Sequence, residues 1–367
     1  MDPIRLIHIA PELPPKVGGV ADYTAILSRR LVEVSDGAVE PVLVHAGNQE
    51  TDAIDVDFTV RDLSGQCSEA MLAASVERLA SEADRQTVVL LEYSGYGYAD
   101  RGAPLWLLRS LRRICSNGGV PLITVFHELF AKSYQPWDRR FWTMPAQYYV
   151  ASRLARLSDG CLANWDAAAQ WVRGQVDGTP VRMSPTFSNV GEPESVPKYS
   201  EREPYAVCFG GAGRKEALYR QHGAELSKVL RRCGIERVLD LGSEPEKEVY
   251  DEMDIKVDPK GIQPVEFISS RLRKASLGLL NHSLHCLKKS GIWASYAAHG
   301  VPTFLSATPQ NIRGLYSGEH FFLLQAETSN DEGGLSEVNR NVRKWYCEVA
   351  HSSYAAKRVR DVLDVVA

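Results

Sequence analysis

The 367-residue sequence predicts an α/β protein of two domains, each a parallel sheet wrapped by helices. Three observations carry this. Short apolar runs alternate with segments of helical period, the alternation breaks once near the middle, and each half has a glycine-rich turn after its first strand. A chain of this length can bury two hydrophobic cores. Its composition, 44% hydrophobic and 24% charged, is that of a globular protein and excludes fibrous and low-complexity classes. Lys and Arg number 42 against 46 Asp and Glu, so no overall basic field recruits nucleic acid.

In the first half the apolar runs are Ile4 to Ala10, Pro41 to Val44, Val88 to Glu92, Pro121 to Phe126 and Gly160 to Ala163. Such runs, separated by helical segments, belong to strands buried on both faces. Tyr23, Ile26, Leu27, Leu31 and Val34 recur at helical spacing, so Asp22 to Val34 is a helix with one apolar stripe. Around residues 185 to 204 Pro, Ser and Glu replace the apolar pattern, the composition of an interdomain linker. Alternation restarts with strand Tyr205 to Phe209, a helix from about Arg214 to Cys233, strand Val238 to Leu241, helix Pro264 to Ala275 and strand Leu277 to Asn281. Ser290 can cap a helix from Gly291 through Ala298, which Gly300 and Pro302 stop. From about Glu337 onward the pattern is helical.

Seven cysteines are scattered, odd in number and without a C-x-x-C pair, which reads as reduced thiols in a cytoplasmic protein. The opening MDPIRLIHIAPELPP lacks the basic and long apolar parts of a signal peptide, and no stretch reaches the length of a membrane span. The expectation is a soluble cytoplasmic protein that can meet the inner face of a membrane.

Four segments could carry chemistry. KVGGVADY, Lys16 to Tyr23, joins the first strand to the first helix. Gly18 and Gly19 there let backbone N–H groups approach an anion at a helix N-terminus; the alternative is a loop that needs positive φ. The turn lacks the G-x-G-x-x-G of dinucleotide oxidoreductases. CFGGAGRKEALYR, Cys208 to Arg220, places Arg214 and Lys215 directly after Gly210, Gly211 and Gly213, and a guanidinium beside an ammonium suits a diphosphate. The alternative, two cations solvating a helix start, is disfavoured by the helix dipole. Ser290 and Gly291 form the third segment, again a small-residue helix start with unsatisfied N–H groups. The fourth is His127 and Glu128 in VFHELFA, just past a strand, where either could position or deprotonate a hydroxyl. There is no H-E-x-x-H or Cys/His cluster, and the D-x-D at Asp55 and Asp57 is too short to argue for a metal.

Together these segments resemble a GT-B-fold glycosyltransferase, most like glycosyltransferase family 4 of bacterial envelope and exopolysaccharide synthesis. The resemblance is carried by PPKVGGVADYT, EYSGYGYADRGAP, VFHELFA, FSNVGEP, FGGAGRK and GIWASYAAHGVPTF, in that order along nearly the whole chain. It implies two Rossmann-like domains facing across a cleft: residues 1–190 on the acceptor side, residues 200–350 holding the nucleotide sugar, and a helix over residues 352–367 returning to the first domain. By the resemblance, Arg214 and Lys215 hold the donor diphosphate and stabilise the leaving group. Gly210, Gly211, Ser290 and Gly291 line the same phosphates, and Gly18 and Gly19 close over them. His127 lies near the transferred sugar with Glu128 beside it, and Asp22, Tyr23 and Tyr96 fall on the acceptor side. Cations and helix dipoles would do a metal's work, so neither metal nor cofactor is implied beyond the nucleotide-sugar co-substrate. One departure is plain: the two glutamates usual in the family, eight residues apart, are replaced by Leu287 and Ser295. Two alternatives stand beside the transferase: a nucleotide-sugar epimerase of the same fold, which would want a denser set of acids and histidines, and a non-catalytic transferase-like binding protein, which the missing glutamates would fit.

Between Leu105 and Arg156 lie eight basic residues (Arg109, Arg112, Arg113, Lys132, Arg139, Arg140, Arg153, Arg156) against two acidic ones, Glu128 and Asp138. Trp106, Phe130, Tyr134, Trp137, Phe141, Trp142, Tyr148 and Tyr149 are interleaved with them. The mixture suits an anionic lipid headgroup or a lipid-diphosphate acceptor; the alternative is solvated arginines over a core of aromatics.

Overall fold

Ile4–Ala10 forms the first strand, β1, with six of its seven residues buried. It sits at the centre of a sheet, flanked by parallel neighbours on both sides. The computed structural model describes residues 2–16, 18–48, 53–133, 135–324 and 332–367. Contacts divide the chain into two units, Met1–Pro185 with Ser352–Ala367, and Thr186–His351.

In the first unit β1 is followed by α1 (Gly19–Val34), β2 (Val39–His45), β3 (Val60–Asp62), α2 (Glu69–Ser81) and β4 (Gln86–Tyr93). Then come the single-turn α3 (Gly95–Tyr98), α4 (Leu105–Gly118), β5 (Leu122–Phe126), α5 (Arg139–Leu157), β6 (Gly160–Ala163), α6 (Asp166–Arg173) and β7 (Val181–Met183). Among the described residues they build a seven-stranded parallel sheet in the order β3-β2-β1-β4-β5-β6-β7. The order reverses between β1 and β4. Loops leaving such a pair diverge and open a crevice at the strands' carboxyl ends. Helix α1 starts three residues earlier than its stripe predicts, and Ile26 and Val34 are only half-buried, because Thr24 and Ser28 turn inward with Tyr23, Leu27 and Leu31. Ser28 goes inward because it has a buried partner, described below.

The second unit runs β8 (Glu203–Phe209), α7 (Ala212–Arg232), β9 (Arg237–Leu241), β10 (Lys256–Pro259), α8 (Val265–Lys274) and β11 (Ala275–Asn281), then α9 (Gly291–Ala298), β12 (Thr303–Ser306), β13 (Phe322–Leu323) and α10 (Glu332–Trp345). Its parallel sheet has the order β10-β9-β8-β11-β12-β13, with the same kind of reversal between β8 and β11. The segment read as a linker is not an open one. Phe187, Ser188 and Val190 are buried in the second unit, Thr186 N donates to Lys288 O at 2.9 Å, and Ser188 N donates to the Tyr346 hydroxyl at 2.8 Å. Some of its polar groups are used in internal hydrogen bonds while Glu194, Ser195, Lys198 and Ser200 are exposed, two uses that composition does not distinguish.

After a π-helical turn at Tyr346–Ala350, the last helix, α11 (Ser352–Val366), packs in the first unit against α1 and β6. Arg30 on α1 donates to Ser352 Oγ at 2.8 Å, and Arg360 donates to the Val34 carbonyl at 2.8 Å. Among the described residues no helix is long and apolar enough to cross a membrane. All seven cysteines are unbridged, and burial pushes the Cys161 and Cys208 thiols up to about 12.

Gly160 of β6 lies against α11: a methyl group there would overlap Val362. Gly160→Ala should therefore destabilise the protein by about 1–3 kcal/mol through overpacking. Val362→Ala on that background should recover part of the loss in thermal unfolding. Absence of recovery would show that the two residues do not compete for the same space.

Candidate functional site

Four adjacent strands of the first sheet deliver polar side chains to one face at their carboxyl ends. His8 of β1 pairs with Leu90, two residues before Glu92 of β4; Glu92 pairs with Val125, two before His127; Val125 pairs with Leu162, two before Asn164. Side chains two apart on a strand share a face, so the register aligns all four. Glu92, fully buried, accepts from His8 Nε2 at 2.8 Å and from His127 Nε2 at 2.6 Å, one on each carboxylate oxygen. Ser28 Oγ lies 2.8 Å from His8 Nδ1, and Asn164 Nδ2 donates to His127 Nδ1 at 3.2 Å. Burial pushes the Glu92 carboxyl up, but the hydrogen bonds and charge of His127 and His8 outweigh it and hold it below its ordinary value.

This relay settles where His127 stands. The residue is 8% exposed, both ring nitrogens are engaged within the relay, and the Tyr23 ring meets it edge-on at 4.8 Å. His127 is therefore held in a buried hydrogen-bond network, with Nε2–H on Glu92 and Nδ1 accepting from Asn164, while Glu128 beside it is exposed. Tyr23, read as an acceptor contact, is instead buried; desolvation, reinforced by Glu92, pushes its phenol well up. Asp22 is half-buried in the first turn of α1, where a carboxylate suits the helix dipole, and Tyr96 is exposed.

The first glycine turn does not need positive φ. Gly18 has φ −170°, an extended conformation open to any residue, and Gly19 faces open space. Crowding at Gly18 comes from Glu12, whose carboxylate oxygen would lie 2.7 Å from an added Cβ. Glu12 pairs with Lys16 at 2.8 Å, and both line a cavity of about 380 Å³ with Asn48, Ser94, Tyr96 and Asp100, at the β1/β4 reversal. Asp57 of the D-x-D forms an ion pair with Arg29 at 3.3 Å. Among the described residues no group of three or more His, Cys, Asp or Glu side chains is placed to hold a metal ion.

In the second unit the β8/β11 reversal gathers the second glycine turn and the start of α9. Gly210 has φ +142°, and a Cβ there would lie 2.7 Å from Ile292 on α9, so only glycine lets the turn pack against that helix. Helix α7 begins at Ala212 after the N-cap Gly211, which has no side chain to cap it, and puts Arg214 in its exposed first turn. Lys215, one residue on and about 100° around the helix, points the other way. Its buried ammonium pairs with Asp240 of β9 and donates to the Leu241 carbonyl at 3.1 Å, while the Tyr219 hydroxyl donates to Asp240 at 2.7 Å. Burial pushes the Asp240 carboxyl up, and these two donors pull it back only in part. The reading of Lys215 as a phosphate ligand is thus corrected: its charge neutralises a core aspartate.

Past β11, burial lowers the pKa of His282, its bond to the Ser283 backbone offsets part of that, and the positive charges of Arg214 and Lys289, with His285, depress it further. Arg214 and Lys289 also offset the burial that raises the Cys286 thiol. The sequence reading passed over Lys289, although its place just before Ser290 was a signal. Ser290 caps α9, its Oγ accepting from Trp293 N at 3.2 Å. Leu287 and Ser295, at the usual glutamate positions, are both buried; Ser295 Oγ donates to Gly291 O at 2.7 Å and lies 3.3 Å from Ser188 Oγ. A carboxylate would not be accommodated at either position without displacing this packing.

The basic and aromatic stretch separates into two parts. Arg109, Arg112, Arg113, Arg153 and Arg156 are exposed on α4 and α5, Arg113 paired with Glu77 at 3.1 Å. Phe130 and Tyr148 pack with Trp171, whereas Trp137 and Trp142 remain open to solvent. Tyr134 lies outside the described residues.

No family model matches this chain, and no curated protein matches it. Solved structures do. HepE from Anabaena, in complex with UDP, is 12% identical with TM-score 0.60 and full coverage of both chains. A glycosyltransferase from Rickettsia africae is 8% identical with TM-score 0.64, covering 100% of this chain and 99% of that one. An α-glucosyltransferase in complex with UDP and a 13-mer DNA is 11% identical with TM-score 0.59, covering 99% and 100%. The likeness shows the fold, GT-B, over the full chain.

Glu92→Gln should test the relay. The amide turns a donor toward one of the two imidazole N–H groups, leaving it without an acceptor, at a cost of roughly 1–3 kcal/mol. Because the folded-state pKa of Glu92 is depressed, its contribution is present above the ordinary carboxylate pKa and is lost as pH falls through the folded value. The variant should melt lower than the parent at neutral pH, with the difference shrinking through the acid range. A difference independent of pH would contradict an ionised Glu92.

Proposed function

We propose that this chain is a glycosyltransferase that moves a sugar from a nucleotide sugar to a glycan or lipid-linked acceptor without a metal. The reading extends to membership of family 4 and to envelope or exopolysaccharide synthesis on the cytoplasmic side of a membrane. One observation carries it: at the β8/β11 reversal the Gly210 and Gly211 turn, exposed Arg214 and the Ser290-capped start of α9 at Gly291 converge on one crevice edge. Strand carboxyl ends at such a reversal are where ligands of open α/β sheets bind, and two helix starts plus a guanidinium favour a diphosphate there. These groups would stabilise charge on the departing nucleotide, the part a metal plays elsewhere. UDP is the nucleotide supported, since two proteins of the same fold, HepE and the α-glucosyltransferase, were solved with it.

Calorimetric titration with UDP, GDP, ADP and CMP should show UDP bound tightest. Arg214→Ala should weaken UDP binding by about 1.5–3 kcal/mol, roughly 10- to 150-fold. Lys215→Ala should instead lower the melting temperature, because it strands Asp240. An anion beside Arg214 and Lys289 offsets the positive charge that depresses His282, so saturating UDP should raise the His282 pKa, read by NMR. Unchanged UDP affinity in Arg214→Ala would sink the assignment. UDP binding without UDP release from UDP-sugars and a glycan acceptor, in EDTA, would favour the non-catalytic reading.

A further inference from the structure

The first unit holds a second cavity, of about 480 Å³, lined by Tyr96, Asp100, Arg101, Arg139, Arg140, Trp142 and Thr143. It shares Tyr96 and Asp100 with the cavity at the β1/β4 reversal. Its wall is built around one buried side chain. Gln147 of α5, 1% exposed, donates from Nε2 to the Tyr96 hydroxyl at 3.0 Å and the Arg101 carbonyl at 2.8 Å, and its Oε1 accepts from Ala131 N at 2.8 Å. The loop after β4 is thereby tied to α5, which carries the opposite wall. Trp142 donates Nε1–H to the Pro136 carbonyl at 2.8 Å, yet the residue is 71% exposed. An indole anchored by its nitrogen and open to solvent is a stacking platform. Arg140 is committed to Asp138, and Asp100 accepts from Asn48 at 2.6 Å. Arg101 and Arg139 are exposed on the cavity wall.

We infer that this cavity is a subsite for a carboxylate-bearing sugar residue of a glycan acceptor. The inference rests on the transferase reading and names the acceptor's chemical class. An aromatic platform suits the apolar face of a pyranose ring, which a phosphatidylglycerol headgroup lacks, and two planar guanidinium forks match a carboxylate. Asp100 on the same wall is an acceptor for the hydroxyls that flank the carboxylate of such a sugar.

Tryptophan fluorescence titration of the full chain with tetragalacturonate, maltotetraose and anionic phosphatidylglycerol vesicles tests this. Tetragalacturonate should bind and quench, maltotetraose should bind at least about tenfold more weakly, and Arg139→Ala and Trp142→Ala should each cost roughly tenfold or more. Both residues lie on the surface, so the variants should fold, and UDP titration in the same samples checks the donor site separately. Equal binding of the two oligosaccharides, binding of neither, or vesicle binding without oligosaccharide binding would each overturn the acidic-sugar subsite. Loss of UDP binding by the parent chain would instead count against the transferase reading.

Discussion

Reversal of strand order is the constraint on which the rest of this molecule depends. In each unit the sheet grows outward from its first strand in one direction and then restarts on the other side, at β1/β4 and at β8/β11. Divergent loops at those two places leave backbone and side-chain groups that no neighbouring strand can satisfy. The first reversal holds Glu12, Lys16, Asn48, Tyr96 and the Glu92 relay; the second holds Gly210, Arg214, Lys289 and Ser290.

The two units manage buried charge in the same way and with different consequences. Glu92 is enclosed by two imidazoles that reach it from neighbouring strands, and its carboxyl is held low. Asp240 is enclosed by Lys215 and Tyr219 from a helix, and its carboxyl is nonetheless raised. In both cases an acid inside a central strand forces a partner inward and removes that partner from duty at the surface. His127 and Lys215 are the partners removed. What remains presented at the second reversal is a smaller set, Arg214 with the two helix starts, and the proposed activity is built on that set.

The fold was legible because strands buried on both faces must be apolar throughout, and the runs from Ile4, Val88 and Gly160 could hardly be anything else. Ser290 as a cap was legible for a similar reason, since a hydroxyl before a small-residue helix start has one good use. Direction was not legible. Arg214 and Lys215 are adjacent in sequence, and only the start of α7 at Ala212, two residues before the expected position, decides which of them faces out. A signal existed in the second strand of that unit, where Asp240 interrupts an apolar run and therefore demands a cation. His8 and Glu92 carried the same signal in the first sheet. Composition over residues 185–204 marked the place where the chain passes from one unit to the other, after Pro185, but not that Phe187, Ser188 and Val190 are buried, because internal hydrogen bonding and hydration use the same residue types.

The central claim is that the donor diphosphate sits at the β8/β11 reversal, and a structure of the full chain soaked or co-crystallised with UDP tests it most directly. The account predicts the diphosphate within hydrogen-bonding distance of the Arg214 guanidinium and of backbone N–H groups at Gly211 or Gly291, with Lys215 still turned inward to Asp240. UDP bound elsewhere, or bound there with Arg214 pointing away and Lys215 released from Asp240 to meet the phosphates, would contradict it.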